Sequence, residues 1–436
     1  MSALGFLVTG LYLLSLVYLI ALLLFGHTEC FNNSVLGKFQ RFWTLTVPPV
    51  LIRISKRIVG ERIVEGYLKY YDALTNSRHP LVQIFYLLLV TVCAGVFFRD
   101  GYHRIPNQFL SPIHRITLPL ALFFVYGSYY AICNSDPGTL TKRNIEQAKR
   151  MYDYDFVLFT PKECSTCQLD KPARSKHCPL CNKCVARMDH HCAWVNNCIG
   201  QANQNWFLLF LLATTLISLY GSYLSFQILR AEYVGKRLHQ LYVVDRVTRQ
   251  SRPLVWWEGC LYITRKDPAI GILFIFTLLA AVVVIGFMGY QLSLIFRGTT
   301  TNESFKWSDL DYAIRQREVT SIDRDVYEYN RRYDWRKRGQ YFDEHGDLKL
   351  EVVGHLHPAE TDPAPNTLRR RHTTGRQSPE QPDSAETLDP DNDSEDVSGT
   401  FGRGEMVEIT KVSQFRNIYD RGPWQNLMEV LHPESL

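Results

Sequence analysis

Cysteine and histidine are concentrated in one short part of this chain. Seven of the eleven cysteines fall between positions 164 and 198. Five of them form two C-x2-C pairs and a third C-x2-C that shares a cysteine with the second, and two more follow. Two thiolates from one tight turn can fill two corners of a tetrahedral zinc ion. The pattern therefore predicts zinc binding. The candidate ligands are Cys164, Cys167, Cys178, Cys181, Cys184, Cys192, Cys198, His177, His190 and His191.

The number of candidate ligands exceeds what zinc requires. Two closed tetrahedral sites take eight of the ten, which leaves one cysteine and one histidine. A thiol beside an imidazole is the elementary arrangement of a nucleophile and its general base. Spacing alone does not say which two are spare. Asp189, His190, His191 and Cys192 form the run that holds all three residue types together, so we expect the reaction there, with Asp189 orienting the base.

Five apolar runs indicate membrane helices. None contains Asp, Glu, Lys, Arg or His, and a helix needs about 20 residues to cross a bilayer core. The first lacks a basic leading segment and a cleavage site, so we predict an uncleaved anchor and not a signal peptide. The runs are Leu4–Phe25, Leu81–Phe98, Ile116–Cys133, Trp206–Leu229 and Ala269–Phe296.

The composition of the whole chain conceals these runs. The 436 residues are 46% apolar and 21% charged, with a net charge of +5. That charge is too weak for a nucleic-acid partner, and 24 Phe, 24 Tyr and 8 Trp exclude a fully disordered chain. Eleven cysteines are too few for a secreted disulfide scaffold. A polar tail after the last run offsets the apolar helices in the average.

Basic residues predict the orientation of the spans. The segments 26–79 and 134–205 hold eight and ten Lys or Arg, whereas 99–115 holds three, which places the two richer segments in the cytoplasm. The segment 230–268 holds eight as well, although alternation of the spans makes it lumenal. Sequons at Asn32, Asn302 and Asn392 all fall in predicted cytoplasmic segments, so their glycosylation would overturn this topology.

The sequence divides into seven segments with different expected roles. Residues 297–356 are charged and aromatic with short helices, 357–405 read as a disordered linker, and an amphipathic helix is expected over 425–431. The expected domains are 1–79 (anchor and cytoplasmic loop), 80–133 (two spans), 134–205 (cysteine-rich domain), 206–296 (two spans with a lumenal loop), 297–356 (juxtamembrane region), 357–405 (linker) and 406–436 (C-terminal motif).

The segment 164–207 resembles the cysteine-rich domain of the DHHC family of integral-membrane protein S-acyltransferases, the palmitoyltransferases. Two flanking motifs agree, Asp136-Pro137-Gly138 and Thr300-Thr301-Asn302-Glu303, and the stretch Asn417–Gly422 with Asn426 resembles the family's C-terminal motif. The chain differs in having Ala193 where most members have Pro. The matching core motifs are Cys164-x2-Cys167, Lys171-Pro172, Arg174-Ser175, His177-Cys178-x2-Cys181-x2-Cys184-Val185, Asp189-His190-His191-Cys192, Trp194, Asn197-Cys198-Ile199-Gly200 and Asn203.

The resemblance implies roles for individual residues. Cys192 would be the nucleophile, His190 the base, Asp189 the residue that orients the base, and Thr301 a contact of Asp189. One structural zinc would be held by the first set and a second zinc by the other. The sets are Cys164, Cys167, His177 and Cys184, and Cys178, Cys181, His191 and Cys198.

The expected substrates are palmitoyl-CoA and cysteine thiols of membrane-associated proteins close to the bilayer. Lys171 and Arg174 are candidates for the phosphates of coenzyme A, and Trp194, Phe207 and Phe210 for the acyl chain, although interhelical packing would also explain the two phenylalanines. The expected location is the endoplasmic reticulum or Golgi membrane. The alternative is a membrane-anchored zinc scaffold like a ubiquitin ligase, in which Cys192 has no role.

The sequence therefore predicts an α-helical polytopic membrane protein. It has about five transmembrane helices, a small cytoplasmic cysteine-rich domain with two zinc ions, and an acyltransferase activity. Its partners are acyl-CoA, protein substrates and the lipid bilayer, with no nucleic acid.

Overall fold

A computed structural model describes residues 38, 42–43, 47–75, 78–244, 251–337, 368–370 and 406–434. The predicted first span, Leu4–Phe25, lies outside these residues. The chain divides into two compact units, which are described separately. The first comprises Met1–Tyr130 and Leu208–Gly289, and the second comprises Ala131–Phe207 and Tyr290–Leu436.

Among the described residues, four helices are long and apolar enough to cross a membrane. The other four predicted spans are thereby confirmed, and with them an α-helical multi-pass fold. Each helix extends beyond its uncharged run, because a helix continues into the interface where polar residues are tolerated. They are α3 (Leu81–Asp100), α4 (His114–Asn134), α6 (Gln204–Gly235) and α8 (Pro268–Phe296).

The first unit packs these helices around an apolar core. Tyr86 stacks on Tyr129 with centroids 4.7 Å apart, and Phe210 meets the ring of Tyr86 edge-on at 5.3 Å. Arg104, between the first two of these helices, pairs with Glu232 at 2.6 Å and also with Asp267. The remaining elements are α1 (Val47–Val59), α2 (Glu61–Thr75), α7 (Trp256–Lys266) and the hairpin β7–β8 (Tyr242–Val244 and Ser251–Pro253).

Short hairpins build the cysteine-rich part of the second unit. After α5 (Ile145–Met151), three antiparallel pairs follow one another along the chain. In the second pair His177 lies opposite Cys184, and in the third His191 lies opposite Cys198. Each of these two hairpins thus presents one imidazole beside one thiol. The strands are β1 (Glu163–Cys164), β2 (Leu169–Asp170), β3 (Lys176–Cys178), β4 (Lys183–Val185), β5 (His190–Cys192) and β6 (Asn197–Ile199).

The Asp136-Pro137-Gly138 motif lies along the outer edge of β4. Gly138 has a positive φ of 95°, a backbone conformation that favours glycine, and its carbonyl accepts the N–H of Ala186 at 2.9 Å. Leu140 donates its N–H to the carbonyl of Cys184, also at 2.9 Å. The motif therefore supports the β3–β4 hairpin, which carries four of the predicted ligands.

The described part of the polar tail contains a three-stranded sheet of β9 (Val319–Asp323), β10 (Leu368–Arg370) and β11 (Met406–Glu408), in the order β10–β9–β11. The central strand, Val319–Asp323, pairs with Met406–Glu408 on one side and Leu368–Arg370 on the other, both antiparallel. The predicted linker 357–405 therefore contains a strand at 368–370, where we expected no regular structure, because the edge of β9 supplies backbone partners. The helices are α9 (Thr301–Arg315), α10 (Arg324–Arg332) and α11 (Pro423–Leu431), and α11 confirms the helix predicted near the C-terminus.

Candidate active site and metal centres

The first metal-binding group gathers residues from three strands and one turn. The Nδ1 atom of His177 lies 3.6 Å from the sulfur of Cys164, 3.3 Å from that of Cys167 and 3.7 Å from that of Cys184. The four ligand atoms all lie within 4.8 Å of one another. Such a cluster of three thiols and one imidazole could hold a metal ion.

The second group repeats this geometry with the next hairpin. The Nδ1 atom of His191 lies 3.8 Å from the sulfur of Cys178, 3.4 Å from that of Cys181 and 3.7 Å from that of Cys198. These are the same two sets of four that the family resemblance assigns to zinc. In the described part of the chain, the two groups use neither Cys192 nor His190.

Cys192 and His190 lie together outside the two metal groups. His190 lies within hydrogen-bonding reach of the Cys192 thiol, and its Nδ1 donates to Oδ2 of Asp189 at 2.5 Å. Both side chains sit on β5, where residues two apart point to the same face. The alternation that places His191 in the metal group thus turns His190 and Cys192 toward each other. The cysteine is 7% exposed.

Thr301 holds Asp189 from the other side of the site. Its backbone N–H donates to Oδ1 of Asp189 at 2.6 Å, and its hydroxyl donates to Oδ2 at 3.0 Å. In addition, the N–H of Asn302 donates to the carbonyl of Asp189 at 3.0 Å. The first turn of α9 therefore fixes the carboxylate that orients His190. The sequence resemblance included this contact.

The electrostatics of the site favour a charged pair. Burial by itself raises the pKa of Cys192 and lowers that of His190, but the hydrogen bond and the charge between them outweigh burial. The pKa of the Cys192 thiol is thus lowered, and the pKa of His190 rises to about 10 with the help of Asp189. The pKa of Asp189 is lowered despite its burial, because His190 and Thr301 stabilise the carboxylate. A thiolate beside an imidazolium is the reactive form of cysteine.

Thr300 and Glu303 form the cap of α9. The Thr300 hydroxyl accepts the N–H of Glu303 at 3.2 Å, and Glu303 accepts the N–H of Thr300 at 2.9 Å. This capping box satisfies two backbone donors at the helix start. It also aims the carboxylate of Glu303 at Arg174, which donates to it through Nε at 2.6 Å and Nη2 at 2.8 Å. The Thr-Thr-x-Glu motif therefore ties both Asp189 and Arg174 to one helix end.

The structure does not favour the expected role of Arg174 and Lys171 as phosphate ligands. Arg174 is 1% exposed, its charge is already paired with Glu303, and its guanidinium lies over the rings of Tyr152 and Tyr419 at 4.9 and 4.6 Å. Lys171 is buried as well, at 5% exposed. A coenzyme A phosphate in solvent cannot approach such side chains without displacing protein. Arg174 is engaged in ion pairing and aromatic packing inside the second unit, and the assignment of both residues to coenzyme A stays a prediction.

The three residues expected to contact the acyl chain lie in different surroundings. Phe207 is buried and packs edge-on against the His190 ring, with centroids 5.3 Å apart. Trp194 is 46% exposed on the turn between β5 and β6. Phe210 packs in the aromatic cluster of the first unit, as interhelical packing would require.

A buried charged network was not predicted from the sequence. Glu429 of α11 lies 3.2 Å from the guanidinium of Arg187 and accepts a hydrogen bond from Tyr152. Burial would raise the pKa of Glu429, but Arg187 and Arg174 lower it below its usual value. In the sequence, Glu429 is only a single acidic residue on an amphipathic helix. Its partner Arg187 lies more than two hundred positions earlier, so the sequence pattern did not indicate the pair.

Comparison with known proteins identifies the family of this chain. The family model described as DHHC palmitoyltransferase matches residues 158–308. The chain is 34% identical over 301 residues to palmitoyltransferase swf1 of Schizosaccharomyces pombe, covering 69% of this chain and 80% of the relative. The chain belongs to the DHHC palmitoyltransferase family.

Further relatives extend the similarity of this DHHC family member. Palmitoyltransferase SWF1 of Neurospora crassa is 29% identical over 419 residues, which cover 94% of this chain and 88% of that protein. Palmitoyltransferase ZDHHC4 of Mus musculus is 31% identical over 313 residues, covering 69% and 84%. The similarity thus reaches well outside the cysteine-rich segment.

Proposed function

We propose that this chain is a protein S-palmitoyltransferase that carries the acyl group on Cys192. The observation that supports this most directly is the arrangement of Asp189, His190 and Cys192, in which His190 is hydrogen-bonded to Asp189 and lies beside the Cys192 thiol. Cys192 belongs to neither metal group, although six other cysteines in the same short segment do. A buried thiol that no metal uses, beside an oriented imidazole, suits nucleophilic catalysis.

The reaction proceeds in two thiol–thioester exchanges. The Cys192 thiolate attacks the carbonyl carbon of palmitoyl-CoA, the bond to the coenzyme A sulfur breaks, and the imidazolium of His190 protonates the leaving thiolate. His190 then takes the proton of the incoming substrate cysteine, whose sulfur attacks the acyl-enzyme. Cys192 leaves as a thiolate, so proton and charge return to the starting state. Asp189 keeps Nδ1 of His190 protonated, which leaves the other ring nitrogen for both transfers.

We propose zinc as the ion of both metal groups, with a structural role. An ideal tetrahedral zinc site with these ligands separates sulfur from nitrogen by roughly 3.6 Å. The observed separations in the two groups run from 3.3 to 3.8 Å. Four protein ligands would close each site, so the ion would fold the hairpins and leave the chemistry to the thiol.

The membrane helices restrict where the enzyme finds its substrates. The cysteine-rich segment joins directly to α4 at residue 134 and to α6 at residue 204. Protein substrates are therefore membrane-associated chains with a cysteine close to the bilayer. We place this segment in the cytoplasm because of the Lys and Arg distribution. Membranes of the endoplasmic reticulum or Golgi are the location we propose, since no other targeting signal is visible in the sequence. The acyl chain would enter beside Phe207, within the apolar environment of α6.

Labelling with palmitoyl-CoA tests this function. Purified full-length protein is expected to incorporate a labelled palmitoyl group that hydroxylamine releases, and Cys192→Ser is expected to incorporate none. Metal analysis should give two zinc ions per chain in both proteins, since Cys192 is not a ligand. Cys93→Ser, outside both metal groups in α3, is the matched control and should label like the wild type.

Three other outcomes would contradict the proposal. Metal-loaded, monodisperse wild type without label would favour a zinc scaffold over an enzyme. Equal labelling of Cys192→Ser and the wild type would show that a residue other than Cys192 is the nucleophile. Loss of one zinc ion in Cys192→Ser would make Cys192 a ligand and contradict the assignment of the two groups.

A further inference from the structure

The second unit contains an open cavity that the proposed reaction does not use. Its volume is about 520 Å³, within the usual range of small-ligand sites. Four arginines and a tryptophan dominate its wall. We call it the arginine pocket, and its lining residues are Arg332, Tyr333, Asp334, Trp335, Arg336, Arg416, Asp420, Arg421 and Gly422.

The two acidic residues of the arginine pocket are engaged in local backbone turns. Asp334 accepts the N–H of Arg336 at 3.1 Å through Oδ1. Oδ1 of Asp420 accepts the N–H of Gly422 at 2.9 Å and the amide of Asn426 at 2.8 Å. With four guanidinium groups and two carboxylates, the wall carries a net positive charge of about two.

The guanidinium groups are held in place by aromatic and backbone contacts. Arg336 and Arg421 both lie over the Trp335 ring, at 5.6 and 5.4 Å from its centre. Arg416 donates through Nη1 to the carbonyl of Tyr333 at 3.2 Å. Among the described residues, neither Arg336 nor Arg416 forms an ion pair with a carboxylate. Arg332 pairs with Glu328 at 2.7 Å and Arg421 with Glu429 at 3.5 Å.

One wall of the pocket lies at the end of the last membrane helix. Asn426 donates to the carbonyl of Phe296, the last residue of α8, at 3.1 Å, and to pocket residue Asp420. Asn417 also donates to the carbonyl of Arg297 at 2.9 Å. The pocket is thus attached to the end of α8.

These features fit a phosphate monoester better than other anions. Planar guanidinium groups bind phosphate oxygens in pairs, and a phosphate monoester carries a charge of about −1.5 to −2 at neutral pH. Clustered arginines beside a membrane helix are typical of sites for phosphorylated lipid head groups. Trp335 offers an apolar ring against which a head group can pack.

We propose that the arginine pocket binds the phosphate monoester head group of a membrane lipid. The bound head group would hold the C-terminal motif against the bilayer surface beside α8. This inference concerns a binding site separate from Cys192, and it does not depend on whether the chain transfers acyl groups.

Short-chain soluble lipids provide a direct test with the full-length protein. Dioctanoyl phosphatidylinositol 4-phosphate is expected to bind at least tenfold more tightly than dioctanoyl phosphatidylinositol, measured by titration calorimetry. Arg336→Ala should reduce the affinity for the phosphorylated lipid by tenfold or more. Because Arg336 is exposed, this variant should keep the wild-type metal content. Arg331→Ala, on α10 but outside the pocket, is the matched control and should bind like the wild type.

Three results would overturn the proposal. Equal affinity for the phosphorylated and unphosphorylated lipids, or unchanged affinity in Arg336→Ala, would show that the pocket does not recognise the monoester. Coenzyme A carries the same group as its 3′-phosphate. If coenzyme A displaces the lipid and 3′-dephospho-coenzyme A does not, with both affinities weakened in Arg336→Ala, the pocket belongs to the nucleotide and the lipid proposal fails.

Discussion

At the scale of single residues, Asp189 is the point where two distant parts of the sequence meet. It accepts hydrogen bonds from His190, one position away, and from Thr301, 112 positions away. Local spacing drew attention to the Asp-His-His-Cys run, but only the family resemblance supplied Thr301. The carboxylate is fully engaged, so its function is to hold His190 in one orientation and one tautomer.

Asp189→Asn is expected to slow autoacylation by about 10²- to 10⁴-fold, because the amide no longer fixes a protonated Nδ1 on His190. Thr301→Val removes only the hydroxyl and keeps the backbone donor, so we expect a loss of about tenfold or less. Single-turnover incorporation of labelled palmitate measures both rates. Both variants should retain two zinc ions, since neither residue belongs to a metal group.

Asp170→Asn is the matched control for these variants. Asp170 lies on β2, and its exposed carboxylate pairs with Lys149 at 2.7 Å. The autoacylation rate of Asp170→Asn should equal that of the wild type. A wild-type rate in Asp189→Asn would refute the orienting role of Asp189, whatever the behaviour of the threonine variant.

At the scale of elements, the metal hairpins depend on a close contact with the chain before them. Gly200 follows β6, and its backbone lies against Pro137 and Val185. The N–H of Ala202 also donates to the carbonyl of Pro137 at 3.3 Å. Two motifs that are 62 positions apart thus form one packed layer, in which a side chain at position 200 has no space.

Gly200→Ala should destabilise the second unit. A Cβ atom there would lie 2.5 Å from Cγ1 of Val185 and 2.6 Å from the carbonyl oxygen of Pro137. We expect a loss of about 1–3 kcal/mol of stability, seen as a lower melting temperature and partial loss of zinc. Gly95→Ala on α3 has no atom within 4 Å of the added Cβ and should melt like the wild type. Unchanged melting of both variants would contradict this packing argument.

Some of these elements could be predicted from the sequence and others could not, for physical reasons. Long uncharged runs identify spans, because the bilayer excludes charge over a fixed length, and C-x2-C pairs identify metal groups, because the turn is local. Arg174 shows the limit. A basic residue in a cysteine-rich segment suggested a phosphate ligand, but its partner Glu303 lies 129 positions away and buries it. Burial and long-range pairing are set by tertiary packing, which spacing does not encode.

At the scale of the whole molecule, the second unit is closed by the end of the chain. Met406–Glu408 pairs with β9, and Asn426 donates to the carbonyl at the end of α8. More than one hundred residues separate the Thr-Thr-x-Glu motif from the C-terminal motif in the sequence, and the interpretation of this stretch as an insertion stays a prediction. The seven domain boundaries expected from the sequence stay a prediction.

Two rules disagree about the side of the membrane on which the segment 230–268 lies, and so about the orientation of the spans. Its eight Lys and Arg residues favour the cytoplasm, whereas alternation of α6 and α8 with the other spans makes it lumenal. We expect alternation to prevail, since a helix of the length and apolarity of α8 must cross the bilayer.

Arg246→Asn creates the sequon Asn-Val-Thr at 246–248. Expression with microsomes should glycosylate this variant and leave the wild type, with its native sequon at Asn302, unmodified. Glycosylation of the wild type at Asn302 would instead put α9 and the metal groups in the lumen, where the proposed cytoplasmic acyl transfer could not occur.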